Sequence, residues 1–171
     1  MIFVLNIHSL ICSMNFFNQR STTVNKMRVI LIDDDDSTGN RIKNIIKDCN
    51  CAEFIGQAHR GLTGVEMMQR HVPDLVIIDL HIPGTSGFDL LIWTKETFPK
   101  SKVIIISNSL KPEYKQISES LGADYFLDKQ NELNDISGII KKMASTFNSS
   151  VNEELLVDVK INKQVDRKSV V

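Results

Sequence analysis

The feature that most constrains this chain is an unbroken apolar run, Leu75 to Ile78, that leads directly into the carboxylate of Asp79. Its last three apolar residues are β-branched, so the run predicts a strand that is buried on both faces. Pro83 and Gly84 follow shortly and end the segment. Asp79 is therefore expected at the carboxyl end of a central strand, where open α/β sheets carry their chemistry. The alternative is a strand-ending Asp that only caps a loop.

Four further strands and five helices alternate with this strand. Apolar runs predict the strands Val29–Ile32, Glu53–Ala58, Val103–Ile106 and Tyr125–Leu127. Apolar residues at helical spacing predict a first helix with Ser37 as its N-cap. The same spacing predicts four further helices, Gly61–Arg70, Ser86–Phe98, Pro112–Leu121 and Glu132–Phe147. Five strands alternating with five helices predict an α/β fold with a mostly parallel sheet covered on both faces.

The 171 residues suit one domain with extensions, which we expect at 27–147. Residues 1–26 hold apolar groups that are too interrupted for a membrane helix and lack the charged start of a signal peptide. We expect this segment to be a disordered extension or a misassigned start that precedes Met27. Residues 148–171 are expected to form a flexible tail, because they are too few for a second domain.

Composition narrows the class of partner and the compartment. The formal net charge is −1, so no global basic excess points to nucleic acid or to an anionic membrane. Cys12, Cys49 and Cys51 form an odd set without metal-ligand spacing. They fit reduced thiols in a cytoplasmic protein better than a disulfide framework.

The residues that end the strands make a chemical prediction. Right-handed crossovers put the carboxyl ends of parallel strands on one edge, so Asp33, Asp34, Asp79, Ser107 and Lys129 are expected to meet there. Clustered carboxylates repel unless a cation intervenes, and Mg²⁺ is held by such oxygens. A carboxylate beside a metal suits an aspartyl-phosphate nucleophile, with the ammonium and the hydroxyl bound to phosphoryl oxygens. The alternatives are a solvated acidic loop, a plain strand end and a surface lysine.

At this point the sequence resembles the receiver domain of two-component response regulators over roughly residues 28–147. The matching stretches are Val29-Ile30-Leu31-Ile32-Asp33-Asp34, then Asp74-Leu75-Val76-Ile77-Ile78-Asp79-Leu80-His81-Ile82-Pro83-Gly84-Thr85-Ser86-Gly87, then Val103-Ile104-Ile105-Ile106-Ser107, and finally Gly122-Ala123-Asp124-Tyr125-Phe126-Leu127-Asp128-Lys129. The resemblance implies a flavodoxin-like (βα)5 doubly wound parallel sheet with strand order 2-1-3-4-5.

The resemblance also implies roles for the site residues. Asp79 looks like the phosphoacceptor, which receives a phosphoryl group from a sensor histidine kinase or a histidine phosphotransfer protein. Asp33 and Asp34 look like the acidic pair that binds Mg²⁺ (or Mn²⁺) together with Asp79 and the backbone carbonyl of His81. Lys129 looks like the cation that binds the phosphoryl group. Ser107 looks like the switch hydroxyl, and Phe126 looks like the aromatic rotamer switch.

Three departures from the family pattern matter. The run of four Asp leaves the register of the acidic pair open between Asp33/Asp34 and Asp34/Asp35, and we choose the former because it directly follows the strand. Gln130 follows the lysine where the family usually has Pro. His81 occupies a position that influences phosphoryl lifetime in this family, so the rate of dephosphorylation is open.

The expected function is a stand-alone cytoplasmic receiver that catalyses only its own phosphorylation and dephosphorylation. Because only residues 148–171 follow the last helix, we expect no direct DNA binding, no membrane contact and an unknown output protein. A phosphorylation-dependent homodimer is a family-level expectation. One alternative is a phosphohydrolase with Asp79 as nucleophile, although His81 stands where such enzymes usually carry an acid/base carboxylate. Another is an interaction module on the same fold that works without phosphorylation.

Overall fold

The computed structural model describes residues 26–146, so the predicted extension (apart from Lys26) and the predicted tail lie outside the described residues. The strands are β1 Met27–Ile32, β2 Ala52–Ala58, β3 Leu75–Asp79, β4 His81–Ile82, β5 Thr85–Ser86, β6 Lys102–Ser107 and β7 Tyr125–Asp128. The helices are α1 Asp36–Cys49, α2 Gly61–His71, α3 Gly87–Thr97, α4 Pro112–Ser120 and α5 over 136–146, and a 3₁₀ turn at Leu133–Asp135 precedes α5.

The five long strands form one parallel sheet in the order β2-β1-β3-β6-β7. Counted along the chain as long strands only, this is the order 2-1-3-4-5, so the predicted fold class and topology are confirmed. The two short strands β4 and β5 form a separate antiparallel pair directly after β3. This hairpin was not predicted from the sequence.

Two apolar layers cover the two faces of the sheet, because successive strand side chains point to opposite faces. On one face, Leu31 and Ile77 pack with Ile42 of α1 and Ile140 of α5. On the other face, the neighbouring strand residues pack with side chains of α2 and α3, among them Met68 and Leu91. The central strands are therefore buried on both sides, as their uninterrupted apolar runs predict.

Helix α1 begins two residues earlier than predicted. The N-cap is Asp35 rather than Ser37, and its backbone is extended while its carboxylate accepts hydrogen bonds from the N–H groups of Ser37 (2.9 Å) and Thr38 (3.2 Å). The Thr38 hydroxyl also donates to Asp35 at 2.7 Å. A carboxylate within the four-Asp run thus satisfies the first helical N–H groups, which leaves Ser37 inside the first turn.

The last predicted helix is divided in the structure. The 3₁₀ turn occupies its first residues, α5 continues to residue 146, and the predicted end at Phe147 lies outside the described residues. Among residues 26–146, no helix combines the length and the hydropathy that crossing a bilayer requires.

Candidate functional site

The strand ends meet in register at one edge of the sheet, which we call the carboxyl edge. Ile32 pairs with Ile78, so Asp33 and Asp79 leave adjacent strands side by side. Ser107 follows Ile106, the partner of Asp79, and pairs with Asp128, which Lys129 follows. Carboxylate oxygens of Asp33, Asp34 and Asp79 all lie within 4.8 Å of one another. The structure therefore brings together the residues that the sequence assigned to one site.

Lys129 links the two buried carboxylates of this cluster. Its Nζ lies 3.1 Å from Oδ1 and 2.9 Å from Oδ2 of Asp33, and 3.0 Å from Oδ2 of Asp79. Burial alone would lower the pKa of Lys129, but the hydrogen bonds and charges of Asp33 and Asp79 outweigh burial and raise this pKa. The ammonium therefore stays protonated and holds the two acids together.

The two carboxylate oxygens of Asp33 are bound differently. Its Oδ1 receives hydrogen bonds from the N–H of Asp35 (2.9 Å) and from Lys129, whereas its Oδ2 is buried without a hydrogen bond. Burial raises the pKa of Asp33, and the charge of Asp79 adds to this, although Asp35 and Lys129 oppose it. One ammonium thus faces three carboxylates. A buried carboxylate oxygen that accepts no hydrogen bond and shares one ammonium with other acids suits a hard divalent cation, which this Asp cluster could hold.

Asp79 is fixed by the segment that follows β3. Its Oδ1 accepts a hydrogen bond from the N–H of His81 at 3.2 Å. Helix α3 begins directly against the strand end, since a Cβ at Gly87 would lie 2.5 Å from the Asp79 carbonyl oxygen and 2.7 Å from Cα of Leu80. Only glycine permits this approach. The helix therefore packs against the backbone of Asp79 while its carboxylate stays in the cluster.

Ser107 ends β6 at the carboxyl edge, whereas Phe126 lies within β7 in different surroundings. Ser107 is fully buried, and its hydroxyl oxygen accepts the N–H of Ser109 at 3.0 Å, so it is engaged with its own loop. Phe126 on β7 is partly buried and packs against the apolar layer on the α2 and α3 side. The structure therefore places the predicted aromatic switch in the core layer rather than among the carboxylates.

The side chain of His81 points to solvent rather than into the carboxylate cluster. Its ring lies 5.8 Å from the ring of Tyr114, and Tyr114 also lies edge-on to Phe88. A shallow cleft of about 470 Å³ runs along these side chains, with Ile82 and Pro83 among its other lining residues. This cleft adjoins the β4–β5 hairpin and α4.

The loop after Lys129 is held by residues to which the sequence assigned no role. Asp128 accepts hydrogen bonds from the N–H of Gln130 (2.8 Å) and from the side-chain amide of Asn131 (2.6 Å), and these bonds lower the pKa of Asp128. Glu132 in turn accepts the N–H of Asp128 at 2.7 Å. The available signal was an Asp followed by polar turn formers. These bonds order the turn where the family usually has Pro.

Comparison with known proteins identifies the family and supports the fold. The family model described as "Response regulator receiver domain" matches residues 29–141. A solved structure with the same fold is the receiver domain of AraT, a response regulator from Geobacillus stearothermophilus, with a TM-score of 0.65 at 23% identity over 72% of this chain and 97% of that chain. At this identity the structural likeness supports the fold alone.

The relatives correct the prediction about DNA. The DNA-binding transcriptional activator EvgA of Escherichia coli is 29% identical over 115 residues, which are 67% of this chain and 56% of EvgA. The chain spans about half the length of the curated relatives it matches, with 44% and 67% in two other cases. The partner prediction of no direct DNA binding and a separate output protein is therefore wrong. It was drawn from the few residues after the last helix, and these are no guide to how such receivers act.

Some relatives with this domain are named as enzymes. One is the protein-glutamate methylesterase/protein-glutamine glutaminase 1 of Methanospirillum hungatei, which is 29% identical over 115 residues, 66% of this chain and 34% of that protein. A receiver domain is thus found both in proteins named as regulators and in proteins named as enzymes. The match with the methylesterase covers a third of its length.

Proposed function

We propose that this chain, which belongs to the response regulator receiver domain family, accepts a phosphoryl group on Asp79 within a two-component system. The donor is the phosphohistidine of a sensor histidine kinase or of a histidine phosphotransfer protein in the cytoplasm. The observation that carries the proposal is the buried contact of Lys129 with both Asp33 and Asp79 at an edge where carboxylates outnumber the ammonium.

The proposed cation site consists of oxygens only. Asp33, Asp34, Asp79 and the backbone carbonyl of His81 would hold Mg²⁺ or Mn²⁺. This ligand set is supported by Oδ2 of Asp33, which is buried and accepts no hydrogen bond. Asp35 is left out because its carboxylate caps α1. Bound there, the cation would neutralise the negative charge of phosphoryl oxygens.

In the proposed transfer, a carboxylate oxygen of Asp79 attacks the phosphorus of the donor. An O–P bond forms as the P–N bond to the donor imidazole breaks, and the imidazole leaves with the electron pair of that bond. Lys129 stays charged and can neutralise one phosphoryl oxygen, while Asp33 keeps Lys129 in place. Such transfer depends on positioning and charge stabilisation rather than on further covalent help.

Phosphorylation would add about −1.5 to −2 charges and strong acceptor oxygens at Asp79. These oxygens can accept the hydroxyl proton of Ser107, whose oxygen accepts the N–H of Ser109 in this structure, and so draw this side chain towards Asp79. A shift of Ser107 leaves space beside β6 into which Phe126 of the neighbouring β7 can turn. The populations of two surface states near α4 and β7 then change.

The output of this switch is proposed to be transcriptional. The match with EvgA covers two thirds of this chain, and EvgA is named as a DNA-binding transcriptional activator. Transcript profiles of cells carrying wild type or Asp79→Asn test this. We expect a set of transcripts to change only with wild type under conditions that phosphorylate Asp79. Identical profiles under those conditions would contradict a transcriptional output.

Labelling with acetyl phosphate tests the phosphoacceptor directly. Wild type with Mg²⁺ is expected to gain the mass of one phosphoryl group, released by hydroxylamine as an acyl phosphate is. The same incubation in EDTA should give no gain. Asp79→Asn should remain unlabelled, whereas Asp89→Asn, a change at an exposed acid in the first turn of α3, should label like wild type.

Equal labelling of wild type and Asp79→Asn would remove Asp79 as the acceptor. Continuous turnover of a phosphomonoester by wild type, in place of a single stoichiometric label, would instead favour a phosphohydrolase. The two outcomes are separated by following phosphate release and protein mass in the same sample.

A further inference from the structure

Gln57 connects the edge strand β2 to the acidic loop, which we define as Asp33 to Asp36. Its side-chain Nε2 donates to the backbone carbonyl of Asp33 at 2.7 Å and to that of Asp35 at 3.2 Å. The residue is partly buried, and the first of these bonds spans 24 positions in sequence. One side-chain amide therefore binds the backbone of the loop on both sides of Asp34.

The hydrogen bonds of Gln57 begin where the backbone pairing between β1 and β2 ends. The N–H of Asp33 still donates to the carbonyl of Ala58 at 2.9 Å, in continuation of the pair Ile32 and Ala58. Beyond this bond the loop turns away towards α1, and Gln57 donates to its next carbonyls. The backbone angles of Asp33 and Asp34 decide where the carboxylates of these residues point. The hydrogen bonds of Gln57 therefore control the orientation of the two carboxylates towards Asp79.

Gly39 provides the space for this side chain. A Cβ at this position would lie 1.7 Å from Oε1 and 2.6 Å from Cδ of Gln57. Gly39 is buried inside α1, where glycine is less favourable for a helix than alanine. The helix thus keeps an unfavourable residue at the point where Gln57 crosses its first turn.

We propose that Gln57 is a positioning residue for cation binding, which keeps Asp33 and Asp34 convergent with Asp79 from a strand that contributes no ligand. The inference rests on the proposed function, because it assumes that these carboxylates hold a divalent cation. Gln57 itself does not touch the cation. It supplies two amide hydrogen bonds that a shorter or apolar side chain cannot supply.

Calorimetric titration of the full chain with MgCl₂, and separately with MnCl₂, tests this. The loss of hydrogen bonds of ordinary net strength in Gln57→Ala is expected to raise the Kd of either cation about three- to tenfold. The matched control is Gln69→Ala, a change at an exposed glutamine of α2. Its Kd should equal that of wild type.

Gly39→Ala provides an independent route to the same contact. Its methyl group displaces the Gln57 side chain, so we expect the Kd to rise by the same factor as in Gln57→Ala. In the double variant Gly39→Ala/Gln57→Ala the space is empty, so no further loss of affinity is expected. In the Gln57→Ala background, Gly39→Ala should raise the melting temperature in EDTA, because alanine favours the helix.

A second glycine serves as the control for this route. Gly138 is exposed in α5 and has no atom within 4 Å of a built Cβ. Gly138→Ala should therefore raise the melting temperature in both backgrounds and leave the Kd unchanged. A loss of affinity from Gly39→Ala when Gln57 is present, with a higher melting temperature and no further loss of affinity when Gln57 is absent, is specific to the proposed contact.

Three results would overturn the inference. Unchanged affinity in Gln57→Ala, with a lower melting temperature in EDTA, would reduce Gln57 to a structural tie while cation binding by wild type, and with it the proposed function, stands. Additive losses of affinity in the double variant would show that Gly39 does not act through Gln57. If wild type binds neither cation, the cation site of the proposed function fails, and the inference fails with it.

Discussion

The two edges of the sheet both carry buried or partly buried acids beside lysines. They differ in how fully hydrogen bonds and positive charges match the carboxylate oxygens. At the amino edge, defined by Lys95, Lys102 and Asp124, every acceptor is used. Asp124 Oδ2 receives the ammonium of Lys95 (2.8 Å) and the N–H of Val103 (2.9 Å), and its Oδ1 receives Lys102 (2.8 Å). Burial opposes the charge of Asp124, but these hydrogen bonds lower its pKa overall.

At the carboxyl edge, the carboxylates outnumber the lysine that binds them. Lys129 is shared between Asp33 and Asp79, Asp34 lies close by, and one oxygen of Asp33 is buried without a hydrogen bond. The pKa of Asp33 is raised by burial, whereas that of Asp124 is lowered. The difference indicates that the amino edge is arranged for stability. The carboxyl edge keeps an excess of negative charge that a cation can use.

The largest expected difference comes from removing the lysine of each edge. Lys129→Met leaves two buried acids without a cation, so the free energy of unfolding in EDTA should fall by about 3 kcal/mol. Lys95→Met should lower it by about 1 kcal/mol, because Asp124 keeps Lys102 and the N–H of Val103. Urea denaturation of both variants measures the difference. Equal losses would contradict the contrast between the edges.

Neutralising one acid at each edge should change stability in opposite directions. In EDTA, Asp33→Asn removes a charge that burial disfavours, and we expect a gain of about 1 kcal/mol in the free energy of unfolding. Asp124→Asn removes the acceptor of charged hydrogen bonds and should lose about 2 kcal/mol. Chemical denaturation of the two variants beside wild type checks the signs. A loss of stability in Asp33→Asn would show that its charge is balanced after all.

The same contrast predicts two pH windows. The pKa of Asp33 is raised above 3.8, so the folded state binds more protons than the unfolded state, and stability falls as the pH rises from 3.8 through the raised folded pKa. The pKa of Asp124 is lowered below 3.8, so its contribution is present above 3.8 and is lost as the pH falls through the lowered folded pKa.

Denaturation of the metal-free protein at a series of pH values separates these windows. Asp33→Asn should remove the decline above pH 3.8, and Asp124→Asn should remove part of the loss below pH 3.8. Variants that altered the same window in the same direction would show that the two acids are in equivalent environments.

The smallest expected effect concerns the acid that the structure excludes from the cluster. Asp35→Ala should cost about 1 kcal/mol of stability, because it removes the N-cap of α1. Ser37→Ala, in the first turn, should stay within about 0.5 kcal/mol of wild type. The Kd for Mg²⁺ in Asp35→Ala should stay near the wild-type value. A large loss of affinity would restore Asp34 and Asp35 as the acidic pair.

The sheet and the meeting of the strand ends could be predicted because burial on both faces leaves a direct trace in sequence. The runs before Asp33, Asp79 and Ser107 are continuous and β-branched, and parallel connections then fix which ends meet. The positions of these side chains follow from topology, so no knowledge of individual contacts was needed.

The contacts that hold the loops could not be predicted in the same way. Gln57 is one polar residue in an edge strand, and its bond to the Asp33 carbonyl depends on the space left at Gly39. Neither residue has a periodic or spacing signal. The choice between Asp35 and Ser37 as the N-cap was similarly hidden, because both are residue types that favour this position.

The most direct test of the charge excess at the carboxyl edge is the gain in the free energy of unfolding on adding Mg²⁺. At a concentration of about 100 times its Kd, the cation should stabilise wild type by about 2.7 kcal/mol. Asp124→Asn should show the same gain, since the amino edge takes no part. Asp33→Asn should lose most of the gain. An equal gain in Asp33→Asn and wild type would contradict the account, because the cation would then bind elsewhere.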